Sequence, residues 1–301
     1  MSEQLAAHPA IDLQGLVKRY GRVEALRGID LTVLPGEVFG FLGPNGAGKS
    51  TTIRILLDEL RATAGTATVL GLDPRRDAVA LHRRIGYLPS DLALHPKMRG
   101  RDVLQLFARL RGGVDQALVR GLAERLDVDL DKRAGELSTG NRQKLGLIAA
   151  FMHRPELVIL DEPASGLDPL VQHEFHAIVR ETVDDGRTVF LSSHSLPEVQ
   201  RVADRVAIIR AGAIVAVERV DDLRAVRRVT LLLDSATGEH EFDALPGVTD
   251  VQVQGPRVTL NHRGELGQLL DVVGARHRIR DLTAADADLE DVFLTYYADP
   301  R

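Results

Sequence analysis

The residues best placed to do chemistry lie in one short run. Gly43-Pro44-Asn45-Gly46-Ala47-Gly48-Lys49-Ser50 satisfies G-x-x-x-x-G-K-[ST], and Thr51 follows it. Glycines at Gly43, Gly46 and Gly48 let backbone N–H groups turn inward toward phosphate oxygens with no Cβ in the way. Lys49 can reach β- and γ-phosphates, and the Ser50 hydroxyl can take a divalent cation. The flanks agree. Val38 to Leu42 is an apolar run suited to a buried strand, and a helical pattern from Lys49 through Leu60 aims its positive end at the same phosphates. A strand, loop and helix of this type bind a nucleoside triphosphate.

A second set of residues extends that chemistry. Leu157-Val158-Ile159-Leu160 ends in Asp161-Glu162-Pro163. A carboxylate at the C-terminal end of a central parallel strand faces the phosphate crevice, so Asp161 is positioned for the Mg²⁺ shell. Glu162 is positioned to accept a proton from an attacking water or to orient it. Thr188–Leu191 is another buried strand and ends in Ser192-Ser193-His194, where His194 can contact a γ-phosphate. Tyr20, at the end of a strand upstream of the loop, can stack on a nucleobase; on its own such an aromatic is more often a packed surface residue. Ser138 and Asp168 are N-cap residues, the latter followed by Pro169 at the first helical position. His173 and His176, three apart on a helix, have no companion ligands and read as surface residues.

These residues need elements to hold them. Ile11–Tyr20 and Glu24–Leu34 alternate as strands, Thr66–Leu70 is a third, and Pro74–Arg84 reads as a short helix before the strand Ile85–Leu88. From Arg101 to Arg133 the pattern turns helical: Val103, Leu106, Phe107 and Leu110 fall on one face, and Leu118, Leu122 and Leu126 repeat every fourth residue. This predicts a helical subdomain over about 98–153. Arg205–Arg210 and Ala213–Glu218 close the unit as a hairpin around Gly212. The predicted division is 1–224 and 225–301. The second part is a small α+β module, with strands at Val229–Leu233, Val251–Gln254 and Val258–Asn261. A helical stripe covers Leu266 to Val273, and a last helix carries Leu289, Val292, Phe293 and Tyr296.

Composition narrows the class. The chain has 301 residues, 44% of them hydrophobic, which suffices for one large or two modest cores. With no cysteine, disulfides and thiolate metal sites are excluded. A net charge of −5 gives no general pull toward nucleic acid. Met1 to Ala10 lacks the pattern of a signal peptide, and no uncharged apolar run approaches the roughly 18 residues of a spanning helix. A cytoplasmic chain is expected.

Taken in order, the motifs resemble those of the ATP-binding subunits of ABC transporters. Gly43–Ser50 is similar to the Walker A loop, and Leu137-Ser138-Thr139-Gly140-Asn141-Arg142-Gln143 to the LSGGQ signature. Leu157–Glu162 is similar to Walker B with its glutamate, Ser165–Asp168 to the D-loop, His194 to the switch histidine and Tyr20 to the adenine-stacking aromatic. The similarity covers roughly residues 10–220. The run Leu-Ser-Thr-Gly-Asn-Arg-Gln-Lys-Leu-Gly-Leu and the tail Leu289–Leu294 resemble the drug and antibiotic exporters of the ABC-2 class, as in daunorubicin and bacitracin resistance.

This resemblance implies an α/β P-loop NTPase (ABC ATPase) core with a helical subdomain and a small C-terminal α+β domain. It implies an ATP hydrolase that uses ATP and Mg²⁺ and works as a homodimer. Each ATP would lie between Gly43–Thr51 of one copy and Ser138, Thr139, Gly140 and Asn141 of the other. Glu162, His194 and Lys49 would be catalytic, Asp168 would belong to the D-loop, and Ser50 and Asp161 would hold Mg²⁺. Integral membrane permease subunits would be the partners, with no nucleic acid, and the chain would sit peripherally on the inner face of the cell membrane. The loop after Leu88-Pro89 departs from the pattern: Ser90 and Asp91 stand where the family carries Gln or Glu, and serine is too short to span the same distance. A soluble ABC ATPase without a transport role, and an importer ATPase with a regulatory tail, are the alternatives.

Overall fold

The computed structural model describes residues 8–224 and 226–286. The chain divides into two compact units, Met1–Val217 and Glu218–Arg301. That division falls seven residues ahead of the predicted one, because the short helix over Val220–Arg224 packs on a strand of the second unit.

Three layers build the first unit. The strands β1 (Ile11–Tyr20), β2 (Val23–Val33), and β4 (Ala64–Val69) make an antiparallel sheet in the order β2-β1-β4. Between them in sequence come β3 (Val38–Leu42) and α1 (Lys49–Leu56). Then follow α2 (Ala78–Arg84), β5 (Ile85–Leu88), α3 (Gly100–Leu110), α4 (Gln116–Arg125) and α5 (Thr139–Phe151). The remainder is β6 (Leu157–Asp161), α6 (Pro169–Asp184), β7 (Thr188–Ser193), α7 (Leu196–Val202), β8 (Arg205–Arg210) and β9 (Ala213–Arg219). A second sheet runs β5-β6-β7-β3-β8-β9, with every pair from β5 to β8 parallel.

The apolar runs explain that sheet. Every residue of β3, β6 and β7 is buried, as strands covered on both faces require. Phe39 and Phe190 stack at 6.1 Å across the β3–β7 pair, and Phe41 meets Phe190 at 5.5 Å. Their faces belong to one core shared with Leu13, Ile29, Ile53 and Ile159. The helical subdomain is the group α3, α4 and α5, with α5 lying against β5.

Some boundaries differ from the sequence reading. Helix α1 stops at Leu56 rather than Leu60: Leu57 closes it, and Asp58 takes a positive φ of 56°. Residues 74–77 form turns ahead of α2, so that helix is shorter than the segment Pro74–Arg84.

The second unit holds α8 (Val220–Arg224), β10 (Val226–Leu233), α9 (His240–Asp243), β11 (Val248–Gln254), β12 (Arg257–Arg263), α10 (Leu266–Gly274) and β13 (Ile279–Asp286). Its sheet order is β11-β12-β10-β13, which with the intervening helices is the split β-α-β-β-α-β arrangement. Val229, Leu231, Val258, Leu260, Leu269 and Val273 form its own core. The helix expected around Leu289 to Tyr296 lies outside the described residues.

Candidate functional site

The phosphate loop is shaped by backbone more than by side chains. Ala47 and Gly48 are buried while Pro44, Asn45 and Gly46 form the exposed rim. Gly48 has a φ of 115°, and a Cβ there would come within 2.7 Å of Leu26 Cδ2, so only glycine can end the loop and start α1. The Leu26 side chain of β2 occupies the space such a Cβ would need. Thr52 Oγ donates to Gly48 O at 3.0 Å, tightening the first turn, and Ser50 and Thr51 are half-buried just ahead of it.

Lys49 folds back over this loop. It is 6% exposed, and its Nζ donates to Gly43 O at 2.6 Å and to Pro44 O at 3.3 Å. The same ammonium lies 3.2 Å from Glu162 Oε1, an ion pair whose carboxylate oxygen makes no well-aligned hydrogen bond. The other oxygen of Glu162 accepts from His194 Nδ1 at 2.8 Å. One carboxylate therefore bridges a lysine from the start of α1 and a histidine from the end of β7.

Asp161 and Ser192 lie opposite each other in the parallel β6–β7 register. Ser192 Oγ donates to Asp161 Oδ1 at 2.5 Å and accepts from the Glu162 N–H at 3.1 Å. Asp161 is 2% exposed. Burial, then the charge of Glu59 and after it that of Asp161, push the Tyr87 phenol up. Glu162 itself holds a φ of 52°, a left-handed backbone that costs a non-glycine residue ~1–2 kcal/mol. That conformation survives because its neighbours fix it.

The signature segment starts α5. Ser138 is the N-cap and accepts from Asn141 N at 3.2 Å. Ser138 and Thr139 are exposed and Gly140 and Asn141 half-buried, and among the described residues no hydrogen bond or ion pair ties these four to the phosphate loop. Gly140 instead packs on the loop after β6, where a Cβ would come within 2.5 Å of Gly166 O. Asp168 caps α6 by accepting from Leu170 N and Val171 N, both at 3.1 Å, and stands 3.9 Å from Lys144 Nζ.

Tyr20 is 47% exposed at the tip of the β1–β2 hairpin, with Lys18 Nζ 5.0 Å from its ring centroid. Lys18 is cross-strand from Leu26, whose side chain lies close to Gly48. Ser90 and Asp91 are both exposed. His176, expected on the surface, is half-buried against Phe175; burial, then Arg201 and His173, hold its imidazole below the usual range.

Two contributors escape a reading of residue types. Ser192 precedes the histidine by two residues, yet its bond to Asp161 depends on strand register. Gln143 closes the signature run, and its amide reaches the backbone of Glu162 and Pro163.

Comparison with known proteins gives consistent results. A family model described as "ABC transporter" matches residues 26–165. A daunorubicin resistance ATP-binding protein of Streptomyces coeruleorubidus is 37% identical, over 98% of this chain and 98% of its own length. A bacitracin transport ATP-binding protein of Enterococcus faecalis is 33% identical over 81% of each chain. A Nod factor export ATP-binding protein of Rhizobium meliloti (strain 1021) is 33% identical over 95% of this chain and 87% of its own. Among solved structures, an ATP-binding subunit of an ABC transporter aligns with a TM-score of 0.67 at 28% identity, covering 71% of this chain and 92% of that one.

Proposed function

This chain belongs to the ABC transporter family of ATPases, and from that premise we propose that it powers an exporter of a drug, antibiotic or lipid-like compound as a homodimer docked on separate membrane subunits. One observation carries the chemical part. Glu162 lies between Lys49 at 3.2 Å and His194 at 2.8 Å, at the C-terminal ends of three neighbouring strands. The export part is supported by near full-length relatives named for drug resistance, antibiotic transport and Nod factor export. Among the described residues no helix is long and apolar enough to cross a membrane.

In this reading the triphosphate lies along Gly43–Thr51, its charge met by loop N–H groups and by Lys49. Phosphate competes with Glu162 for the lysine ammonium. Once released, Glu162 Oε1 accepts the proton of the attacking water. His194, 57% exposed and bonded to the same carboxylate, orients that carboxylate with Nδ1 and leaves Nε2 for the γ-phosphate. Tyr20 stacks on the nucleobase.

The donor set suits Mg²⁺. Ser50 and Asp161 offer only hard oxygen ligands, and the described residues hold no cluster of three or more His, Cys, Asp or Glu able to cage an ion. A cation held by one hydroxyl, one carboxylate, substrate phosphates and water is the arrangement Mg²⁺ favours. When bound, Mg²⁺ neutralises developing charge on the transferred phosphoryl group. Asp161 is kept aimed there by Ser192.

Ser138, Thr139, Gly140 and Asn141 address the second copy. In that second-copy role the Ser138 hydroxyl and the N–H groups of the first turn of α5 would offer an anion site. ATP between the two copies then acts as adhesive, and its hydrolysis parts them. Asp168 caps α6 beside this segment. The permease subunits dock from the inner face of the membrane and feel that opening and closing.

Glu162→Gln tests both halves. It should keep ATP binding, lower phosphate release at least a hundredfold, and accumulate an ATP-bound dimer by light scattering. From solubilised native membranes the tagged variant should recover a polytopic partner in near-equal amount. Wild-type turnover in this variant would remove Glu162 as the base, and recovery of ribosomes, DNA or nothing would remove the exporter assignment.

A further inference from the structure

The left-handed backbone of Glu162 is clamped from both sides. Its N–H donates to Ser192 Oγ at 3.1 Å, and its carbonyl accepts from Gln143 Nε2 at 3.3 Å. The same carboxamide nitrogen donates to Pro163 O at 3.3 Å. Both N–H bonds of one amide are thus spent on two consecutive carbonyls. Gln143 is 6% exposed, so water cannot easily take its place.

We propose that Gln143 is a positioning residue for hydrolysis: it locks the Glu162–Pro163 backbone so that the Glu162 carboxylate stays between Lys49 and His194. This rests on the reading of Glu162 as the base. The physical reason lies in the direction of the Cα–Cβ bond. At a φ of 52° the Glu162 side chain leaves the end of β6 on a heading that an ordinary extended or helical backbone does not give. An unclamped residue relaxes toward negative φ and carries its carboxylate away from both partners.

The position of Gln143 adds a second consequence. It sits on α5 five residues after the N-cap Ser138, about one and a half turns along. The helix whose start addresses one nucleotide therefore also holds the backbone of the glutamate serving the other. Any small rotation of α5 about its axis reaches Glu162 through the two amide bonds.

The test uses the full-length chain with Mg-ATP. Gln143→Met is near-isosteric and has no donors; Gln143→His keeps one ring N–H at similar reach without a fixed charge. Gln143→Met should lower kcat at least tenfold, with KM and the Kd of a fluorescent ATP analogue within about twofold of wild type. Gln143→His should recover part of the lost kcat. Wild-type kcat in a cooperatively melting Gln143→Met chain overturns the proposal, as does a loss confined to KM, or a Gln143→His variant as slow as Gln143→Met. Should Gln143→Met not melt cooperatively, Gln143→Glu, whose ionised carboxylate faces the two carbonyls with acceptors only, is held to the same criteria. A wild-type chain no faster than Glu162→Gln overturns the assignment of the base itself, a result distinct from any of these.

Discussion

Replacing Ser192 by alanine removes one hydroxyl that serves two neighbours. Its Oγ donates to the Asp161 carboxylate at 2.5 Å and accepts from the Glu162 N–H at 3.1 Å. Ser192 is fully buried, so no water replaces the lost group. A hydrogen bond to a charged group contributes about 1.5–3 kcal/mol, and a buried N–H left without an acceptor costs about 1–3 kcal/mol. The two losses share one atom and do not simply add, which places the whole near ~3 kcal/mol. For a unit of this size each kcal/mol lowers Tm by roughly 2–4 °C, so the variant should melt roughly 6–12 °C below wild type. Turnover should fall even at temperatures where the chain stays folded. If half of the lost energy had been aiming the two acids, kcat drops about tenfold. The assay pairs thermal melting with steady-state phosphate release, and Ser192→Cys, close in shape with a weaker donor, should lie between. A Ser192→Ala chain that melts within 2 °C of wild type and turns over at the wild-type rate would refute the coupling of Asp161 and Glu162 through this hydroxyl.

Two further perturbations probe other parts of the fold. Gly140→Ala places a methyl group about 2.5 Å from Gly166 O, so one backbone must yield; melting should show a loss of ~1–3 kcal/mol, and ATP turnover should fall with it. His153 is held at about 4, first by burial and then by Arg111, against an ordinary 6.5. The folded chain thus resists protonation that the unfolded chain accepts. Stability should be complete above pH ~6.5 and decline as pH falls toward 4, a slope that urea titrations across that window would show and that His153→Gln should flatten.

Much of the site is legible in the sequence because its parts are local. Val38 to Thr52 carries strand, loop and helix in one continuous stretch, and the structure builds β3, the loop and α1 from it. Asp161 and Glu162 are recognisable because a four-residue apolar run delivers them to a strand end. What escapes is whatever depends on register or on backbone strain. Asp161 meets Ser192 only because β6 and β7 pair in one particular alignment. The positive φ of Glu162 has no signature in side-chain type, since glycine is the residue that advertises such a conformation. Strand β13 is illegible for a different reason. Ile279-Arg280-Asp281-Leu282-Thr283 pairs with β10 but carries exposed charges at Arg280 and Asp281, so its alternation is too weak to read without its neighbour. The helix expected from Pro74 gives way to turns over residues 74–77, where Asp73 Oδ1 accepts from Arg75 N.

The central strand of the sheet also sets when the site can come into being. Val38 pairs with Val189, and Phe39 with Arg205, so β3 acquires both lateral neighbours only after most of the first unit has left the ribosome. Pairings so distant along the chain make folding slow, because loop-closure entropy must be overcome before the contacts reward it. Until then the faces of Phe39 and Phe41, destined for Phe190, stand open to water or to other nascent chains. The phosphate loop is among the first functional segments to be synthesised and among the last to be held in shape. The longer that early, apolar strand waits for its partners, the longer its aromatic faces are open to association with other chains.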